Sequence, residues 1–263
     1  MTTLSDRVIR SMAEELLEAE RTHVPIVALS ERQPGATYDD AYAVQMLTVN
    51  ARVDSGARIA GAKTGFTSKA MQEQFNVPEP DSGVLFDYMV WREGAPVNMD
   101  NLISPRVEAE IAFVLGADLA GPGVNAAQAL QATAGVMPSL EVLDSRFKDW
   151  KITIIDSMAD DAEACGIVLG GALVPVYGLD LRTLGVVFEK NGEVVSTGAG
   201  AAALGNPAEA LAWVANKFAS LGLTLRKGQV VISGSLIRAL NVERGDSFRA
   251  SFDRLGSVGV RFE

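Results

Sequence analysis

The sequence predicts a chain of mixed class, with helices gathered at its start, strands after them and one further clear helix in its last third. Three observations carry this. Leu4, Val8, Met12, Leu16 and Ala19 fall on one stripe of a helix over residues 4 to 20, with charges elsewhere. From Arg58 onward, short apolar runs bounded by glycine and proline read as strands. Behind Asn206-Pro207, residues Leu211, Val214, Ala215, Phe218 and Leu221 return to helical spacing, and Gly222 ends the run.

Taken in order, the first helix is broken by Pro25 and the turn Gln33-Pro34-Gly35. A second helix starts at Thr37, where Thr37-Tyr-Asp-Asp40 has the form of a capping box with Asp in the Glu place, and it ends near Ser55-Gly56. Residues 1–60 therefore form a helical N-terminal region. Arg58 to Gly65 reads as a short strand, followed by a glycine turn and a helix beginning near Thr67. Lys63 lies inside that apolar strand, where an edge lysine with its head in water is the plain reading. Pro78-Glu-Pro80-Asp81-Ser-Gly83 reads as a rigid loop, in which Asp81 fits an ordinary turn acceptor.

The stretch from Pro105 to Arg146 organises the chain. Both its ends read as strands. Side chains alternate faces along a strand, so Glu108 and Glu110 point one way while Val107, Ala109 and Ile111 point the other. Glu141 interrupts a second apolar run, Leu140-Glu-Val-Leu143. Glu-x-Glu on a strand is often only a solvated face. On strands that look buried, though, three carboxylates need partners, and a hard cation with oxygen ligands, Mg²⁺ or Mn²⁺, meets that need. Asp160 and Asp161 read as a solvated turn on the local pattern. Glu189-Lys190 and Glu193-Val194 around Asn191-Gly192 give a hairpin signal. Gln229 to Ser235 reads as a buried strand ending in small polar residues, and residues 247–252 and 257–262 close the sheet.

Composition excludes much. Of 263 residues, 48% are hydrophobic and 21% charged, ordinary for a globular protein. A net charge of −10 offers no basic stripe for nucleic acid. The single cysteine, Cys165, rules out an intrachain disulfide and a cysteine zinc site, and suits a reducing cytoplasm. The first residues lack the apolar core of a signal peptide, and no run is long enough for a membrane span. One histidine, His23, in a polar stretch, argues against a Ser-His-Asp nucleophile or a histidine metal site. The Gly121-x-Gly123 and Gly198-x-Gly200 pairs lack the setting of a dinucleotide site.

Glu108-x-Glu110 followed by Glu141 in Leu-Glu-Val-Leu-Asp-Ser-Arg resembles the metal triad of the fumarylacetoacetate hydrolase superfamily. The likeness is nearest to its hydratase/decarboxylase branch, the 2-hydroxypentadienoate hydratases and 4-oxalocrotonate decarboxylases of aromatic meta-cleavage pathways. Gly61-Ala-Lys63-Thr-Gly65-Phe-Thr67-Ser68 is similar to that branch's Gly-x-Lys-x-Gly-x-Thr-Ser motif. Pro80-Asp81 and Gly83 resemble its Pro-Asp-[Tyr/Phe]-Gly, with Ser82 for the aromatic. Ala159-Asp-Asp161-Ala-Glu163 stands where the family has Ala-Asp-Asn-Ala-Ser, and Ser233-Gly-Ser235 resembles a pocket-lining segment.

The resemblance implies an α+β fold, a mixed and mostly antiparallel β-roll over residues 61–263 with N-terminal helices and one long helix near the C-terminus. It implies Mg²⁺ or Mn²⁺ on Glu108, Glu110 and Glu141, Lys63 and Asp81 as catalytic groups, and Ser68, Asp161 and Ser235 against a small 2-oxo or 2-hydroxy-dienoate. It further implies a homo-oligomer, in a setting where a pathway partner enzyme can associate. Burial and the metal would lower the pKa of Lys63. Asp81 favours a hydratase. A decarboxylase using the same site and a scaffold subunit are the alternatives, and the departures at Asp161 and Glu163 keep the decarboxylase open.

Overall fold

Two sheets and a helical cap share one curled body in the computed structural model, which describes residues 2–69, 72–73 and 76–263. The cap is α1 (Asp6–Thr22), α2 (Leu29–Arg32) and α3 (Tyr38–Asp54). The capping box of α3 forms as its sequence requires: the Thr37 side chain accepts from Asp40 N–H, and the Asp40 carboxylate accepts from Thr37 N–H at 2.8 Å. Ile9, Met12, Ala13 and Leu16 of α1 pack with Leu29, Ala41 and Val44. Phe147, Met158 and Ala159 complete this small core, so the cap is fastened to the segment that follows the sheet centre. His23 caps α1 in the left-handed conformation and is exposed, the surface position its polar neighbours suggested.

The strands are β1 (Ile59–Gly65), β2 (Asp81–Phe86), β3 (Val90–Trp91), β4 (Pro96–Val97), β5 (Arg106–Leu115), β6 (Thr133–Leu143), β7 (Ala164–Leu169), β8 (Gly185–Lys190), β9 (Glu193–Ala199), β10 (Val230–Ile232), β11 (Leu240–Asn241), β12 (Ser247–Phe252) and β13 (Gly256–Phe262). The larger sheet runs β2-β1-β10-β5-β6-β7-β3, with β11 added on β5. The smaller runs β4-β13-β12-β8-β9. Most pairs are antiparallel; β1–β10, β3–β7 and β4–β13 are parallel. The large sheet is rolled, because β2 at one end of the order also packs against β7 near the other. Both long strands at its centre bury their apolar faces completely: Val107, Ala109, Ile111, Leu140 and Val142 have no exposed surface.

Other sequence readings meet the structure directly. Asn191 and Gly192 take positive φ, the two-residue turn that matches strand twist, and join β8 to β9. Asn206 caps the helix Pro207–Ser220 with proline in its first turn. Asp81 differs. It opens β2 rather than lying in a loop, since the chain after Pro80 pairs at once with β1. The helix expected from Thr67 falls partly on positions outside the described residues; Gln72 N–H donates to Ser68 O at 3.0 Å.

Candidate functional site

Strand alternation and register build the centre. Glu108 and Glu110 share one face of β5, and Glu141 on β6 stands directly opposite Glu108 in the pairing. One carboxylate oxygen from each of the three lies within 4.8 Å of the others. Glu110 and Glu141 are buried and Glu108 half-buried. Burial, then the charge of Glu141, pushes Glu108 up to about 8. Glu110 is held well above its usual range, by burial first and then by Glu141 and Glu108. Among the described residues, Glu110 Oε1 and Glu141 Oε2 have no hydrogen-bond partner. Buried, mutually repelling, half-satisfied carboxylates are costly unless a cation joins them. An all-oxygen donor set of this kind fits Mg²⁺ or Mn²⁺. The remaining oxygen of Glu110 is fixed by Gly234 N–H at 2.7 Å.

Lys63 reaches this cluster from across the sheet. Three strand steps separate β1 from β6, roughly 14 Å in a flat sheet. Curling closes the gap, and Lys63 Nζ lies 2.7 Å from Glu141 Oε1. The same ammonium donates to Ala162 O. Burial pulls the Lys63 pKa down, but Glu141, Glu163 and Asp81 outweigh it and hold the group above its usual value. The lowering expected from the sequence concerned burial together with a cation on the glutamates; with the glutamates bare, their charge and that of Asp81 prevail.

Asp81 is fully buried, opposite Gly65 in the β1–β2 pairing. Its Oδ2 accepts from Ser157 Oγ at 2.6 Å. Gly65 leaves room for this carboxylate, since a Cβ on it would lie 2.1 Å from Asp81 Oδ1 and displace it. Gly83 is more tightly constrained, because a Cβ there would meet the backbone oxygen of Asp161 at 2.2 Å and Lys63 Cγ at 3.0 Å. Helix α3 steadies this edge, with Gln45 Nε2 donating to Ser82 O at 2.7 Å.

The turn Asp161–Glu163 takes positive φ at all three residues, none of them glycine. Such backbone persists only where the surroundings over-determine it. Arg146 Nε grips Asp160 Oδ1 at 2.5 Å, and Asp161 Oδ1 accepts from Val84 N–H at 2.8 Å. Asp160 and Asp161 are therefore buried and paired, and the solvated-turn reading is corrected. Asp161 Oδ2 faces Arg52 at 3.8 Å, so this carboxylate braces β2 and α3. Ser235 Oγ likewise bonds locally, to Ile237 O at 2.6 Å. Ser68 is half-buried at the mouth of the turn after β1. The sequence reading assigned no role to Ser157, Arg146 or the Gly234 amide. Arg146, inside Leu-Glu-Val-Leu-Asp-Ser-Arg, and Gly234, inside Ser233-Gly-Ser235, carried a sequence signal; Ser157 carried none.

The fumarylacetoacetate (FAA) hydrolase C-terminal family model matches residues 58–263, which hold the triad, Lys63 and Asp81. This chain belongs to the fumarylacetoacetate hydrolase family. It is 41% identical over 251 residues to a 2-keto-4-pentenoate hydratase of Paraburkholderia xenovorans, covering 95% of this chain and 93% of the relative. A 4-oxalocrotonate decarboxylase of Pseudomonas sp. (strain CF600) is 40% identical, over 99% of this chain and 98% of its own. Among solved structures, a 4-oxalocrotonate decarboxylase from Pseudomonas putida G7, complexed with magnesium and adipate, superposes with a TM-score of 0.96 at 38% identity over all of both chains. Family membership accounts for the α+β roll, and the magnesium of that relative is consistent with a divalent-cation site, which the three glutamates are positioned to form. No helix among the described residues is long and apolar enough to cross a membrane.

Proposed function

We propose that this protein hydrates a 2-hydroxy-2,4-dienoate, or its 2-oxo-3-enoate tautomer, to a 4-hydroxy-2-oxo acid. The observation that carries the reading is the buried Asp81 carboxylate, held by Ser157 and electrostatically coupled to Lys63 beside the three glutamates. Decarboxylation needs an electron sink and a proton for carbon. Hydration also needs a base for water at C4, and Asp81 supplies a carboxylate for that task. The 2-keto-4-pentenoate hydratase relative supports the same choice.

Glu108, Glu110 and Glu141 would hold Mg²⁺ or Mn²⁺, which when bound supplies Lewis-acid polarisation of the substrate's carboxylate and 2-oxygen. Lys63, whose Nζ lies 2.7 Å from Glu141 Oε1, is placed to stabilise negative charge as it develops on that oxygen. Asp81 moves protons. In the first half, the proton of the 2-hydroxyl leaves and C5 gains one, giving an enone with an electrophilic C4. In the second, water adds at C4, loses its proton, and C3 gains one. The rolled sheet keeps these groups away from bulk water, which strengthens each electrostatic contact.

Release of CO₂ from a 2-oxo-enedioate at the same site is the second reading, favoured by the near-equal identity to the decarboxylase relative. A scaffold subunit would need neither Lys63 nor Asp81 nor the triad. We place the protein in the cytoplasm on its single cysteine, and as a homo-oligomer on the exposed valines Val187, Val194 and Val195. Turnover by the purified protein separates the readings. Mg²⁺-dependent loss of 2-hydroxypenta-2,4-dienoate with formation of a 4-hydroxy-2-oxo acid supports hydration. Turnover of 4-oxalocrotonate alone hands the site to decarboxylation, and turnover of neither to a scaffold.

A further inference from the structure

Ser157 bridges two buried carboxyls. Its Oγ lies 2.6 Å from Asp81 Oδ2 and 3.0 Å from Glu163 Oε2. Asp81, Ser157 and Glu163 are 0%, 1% and 6% exposed. A serine hydroxyl has a single proton to donate, so it serves one carboxyl only. Contact with the other then requires a proton on that carboxyl, because two bare oxygens at this separation repel when water is excluded. One shared proton satisfies the trio, with Ser157 Oγ donating to one carboxyl and accepting from the other, and both separations lie in the O–H···O range.

We propose that Glu163 is a positioning residue that stores, through Ser157, the proton Asp81 delivers, so that the pair works with one proton and one vacancy. This rests on the hydratase reading for its chemistry. Each half of that reaction breaks one O–H bond, at the 2-hydroxyl or at water, and forms one C–H bond, at C5 or C3. A pair holding one proton gives it to carbon and accepts the other from oxygen. It returns to its starting state within each half, with no exchange through a buried site. Two further observations support this. Among the described residues, Glu163 Oε1 has no hydrogen-bond partner, whereas Lys63 and the backbone N–H groups of Asp81 and Gly65 favour the charged form of Asp81, which leaves the shared proton to Glu163. Burial, then Asp81 and Asp160, pushes Glu163 up to about 8.

The charged and titratable groups around the pair are Lys63 on β1, Arg106 and Glu108 on β5, Glu141 on β6, Asp160 below the turn and the Tyr38 and Tyr42 phenols of α3. Lys63 and Arg106 favour ionisation, whereas Asp160, Glu108 and Glu141 oppose it. Glu163 itself is fixed by the braced turn described above and by its own backbone, which accepts from Asp144 N–H at 3.0 Å.

Infrared spectra of the Mg²⁺-loaded protein without substrate, at neutral pH, test the stored proton. We expect a protonated-carboxyl band that disappears in the near-isosteric Glu163→Gln and shifts in Ser157→Ala. Turnover tests its use. Glu163→Gln should lower kcat on the order of tenfold to a hundredfold, with KM little changed and the alkaline limb of the kcat–pH profile displaced. The double variant with Ser157→Ala should be no slower than the slower single, since both cut one path. A band that survives in Glu163→Gln, or a Glu163→Gln enzyme with wild-type kcat and pH profile, overturns the proposal. The band is read without catalysis, so a wild type that carries it yet hydrates no dienoate faults the hydratase reading and leaves the shared proton standing.

Discussion

Replacing Gly65 by alanine tests the placement of Asp81 without touching a charged group. The new Cβ would sit 2.1 Å from Asp81 Oδ1 and 3.2 Å from its Cγ. Non-bonded carbon and oxygen rest well beyond 3 Å, so the carboxylate must retreat by roughly 1 Å or rotate. Either movement disturbs the 2.6 Å bond from Ser157. The backbone of Gly65 is not in the left-handed region, so alanine costs no strain of its own. Overpacking should therefore cost stability only on the order of 1–3 kcal/mol. A misplacement of about 1 Å in a catalytic group typically costs on the order of 10²-fold in rate. We expect Gly65→Ala to fold, to bind Mg²⁺ as the wild type does, and to lose about that factor in kcat for 2-hydroxypenta-2,4-dienoate. The assay is dienoate absorbance under saturating substrate, with calorimetry for the metal. Wild-type kcat would refute the argument that Asp81 must stand where Gly65 leaves room. Loss of metal binding would show that the damage is not confined to Asp81.

Further outcomes follow from the same geometry. Glu108→Gln and Glu141→Gln should each abolish divalent-cation binding by calorimetry while circular dichroism stays that of a folded protein; Mg²⁺-dependent turnover in either would defeat the triad. Lys63→Ala should cut kcat by about 10²-fold or more, the usual scale for a positioned acid, base or oxyanion donor, and an unchanged kcat would return Lys63 to an edge lysine. Metal-stripped protein should lose stability as pH rises. Glu108 titrates near 8 when folded against 4.5 for the free group, so the folded state binds the extra proton between these values. Stability should fall across that window by at most about 1.4 kcal/mol per pH unit for this group. Melting temperature against pH in chelator and in Mg²⁺ reads the effect, and a flat profile in chelator contradicts it.

The gathering of the three glutamates was legible because it rests on a local rule: alternation along β5 places Glu108 and Glu110 together, and Glu141 interrupts an apolar run on the neighbouring strand. Their reading as metal ligands came from the family resemblance, since the local pattern also fits a solvated face. Caps were legible for the same reason: Thr37 with Asp40 and Asn206 with Pro207 act within four residues. Lys63 was visible as an anomaly in a strand, but its partner lies three strands away, and only the curl of the sheet decides that they meet. Ser157 was invisible, being 76 residues from Asp81 along the chain. The left-handed turn at Asp161, Ala162 and Glu163 was hidden too, since aspartate tolerates positive φ but Ala162 and Glu163 do not advertise it. Its bracing by Arg146 and the Val84 amide turns Asp161 into a strut, which pattern alone read as a solvated turn.

The central claim is that Asp81 directs water to C4 at a triad-held metal. Product analysis in H₂¹⁸O tests it most directly, with wild type and Asp81→Asn side by side. The account predicts that the wild type converts a 2-hydroxy-2,4-dienoate to a 4-hydroxy-2-oxo acid carrying label at C4. It predicts that Asp81→Asn loses this while still binding Mg²⁺. Release of CO₂ from a 2-oxo-enedioate by the wild type, with no labelled oxygen entering any dienoate, would contradict it.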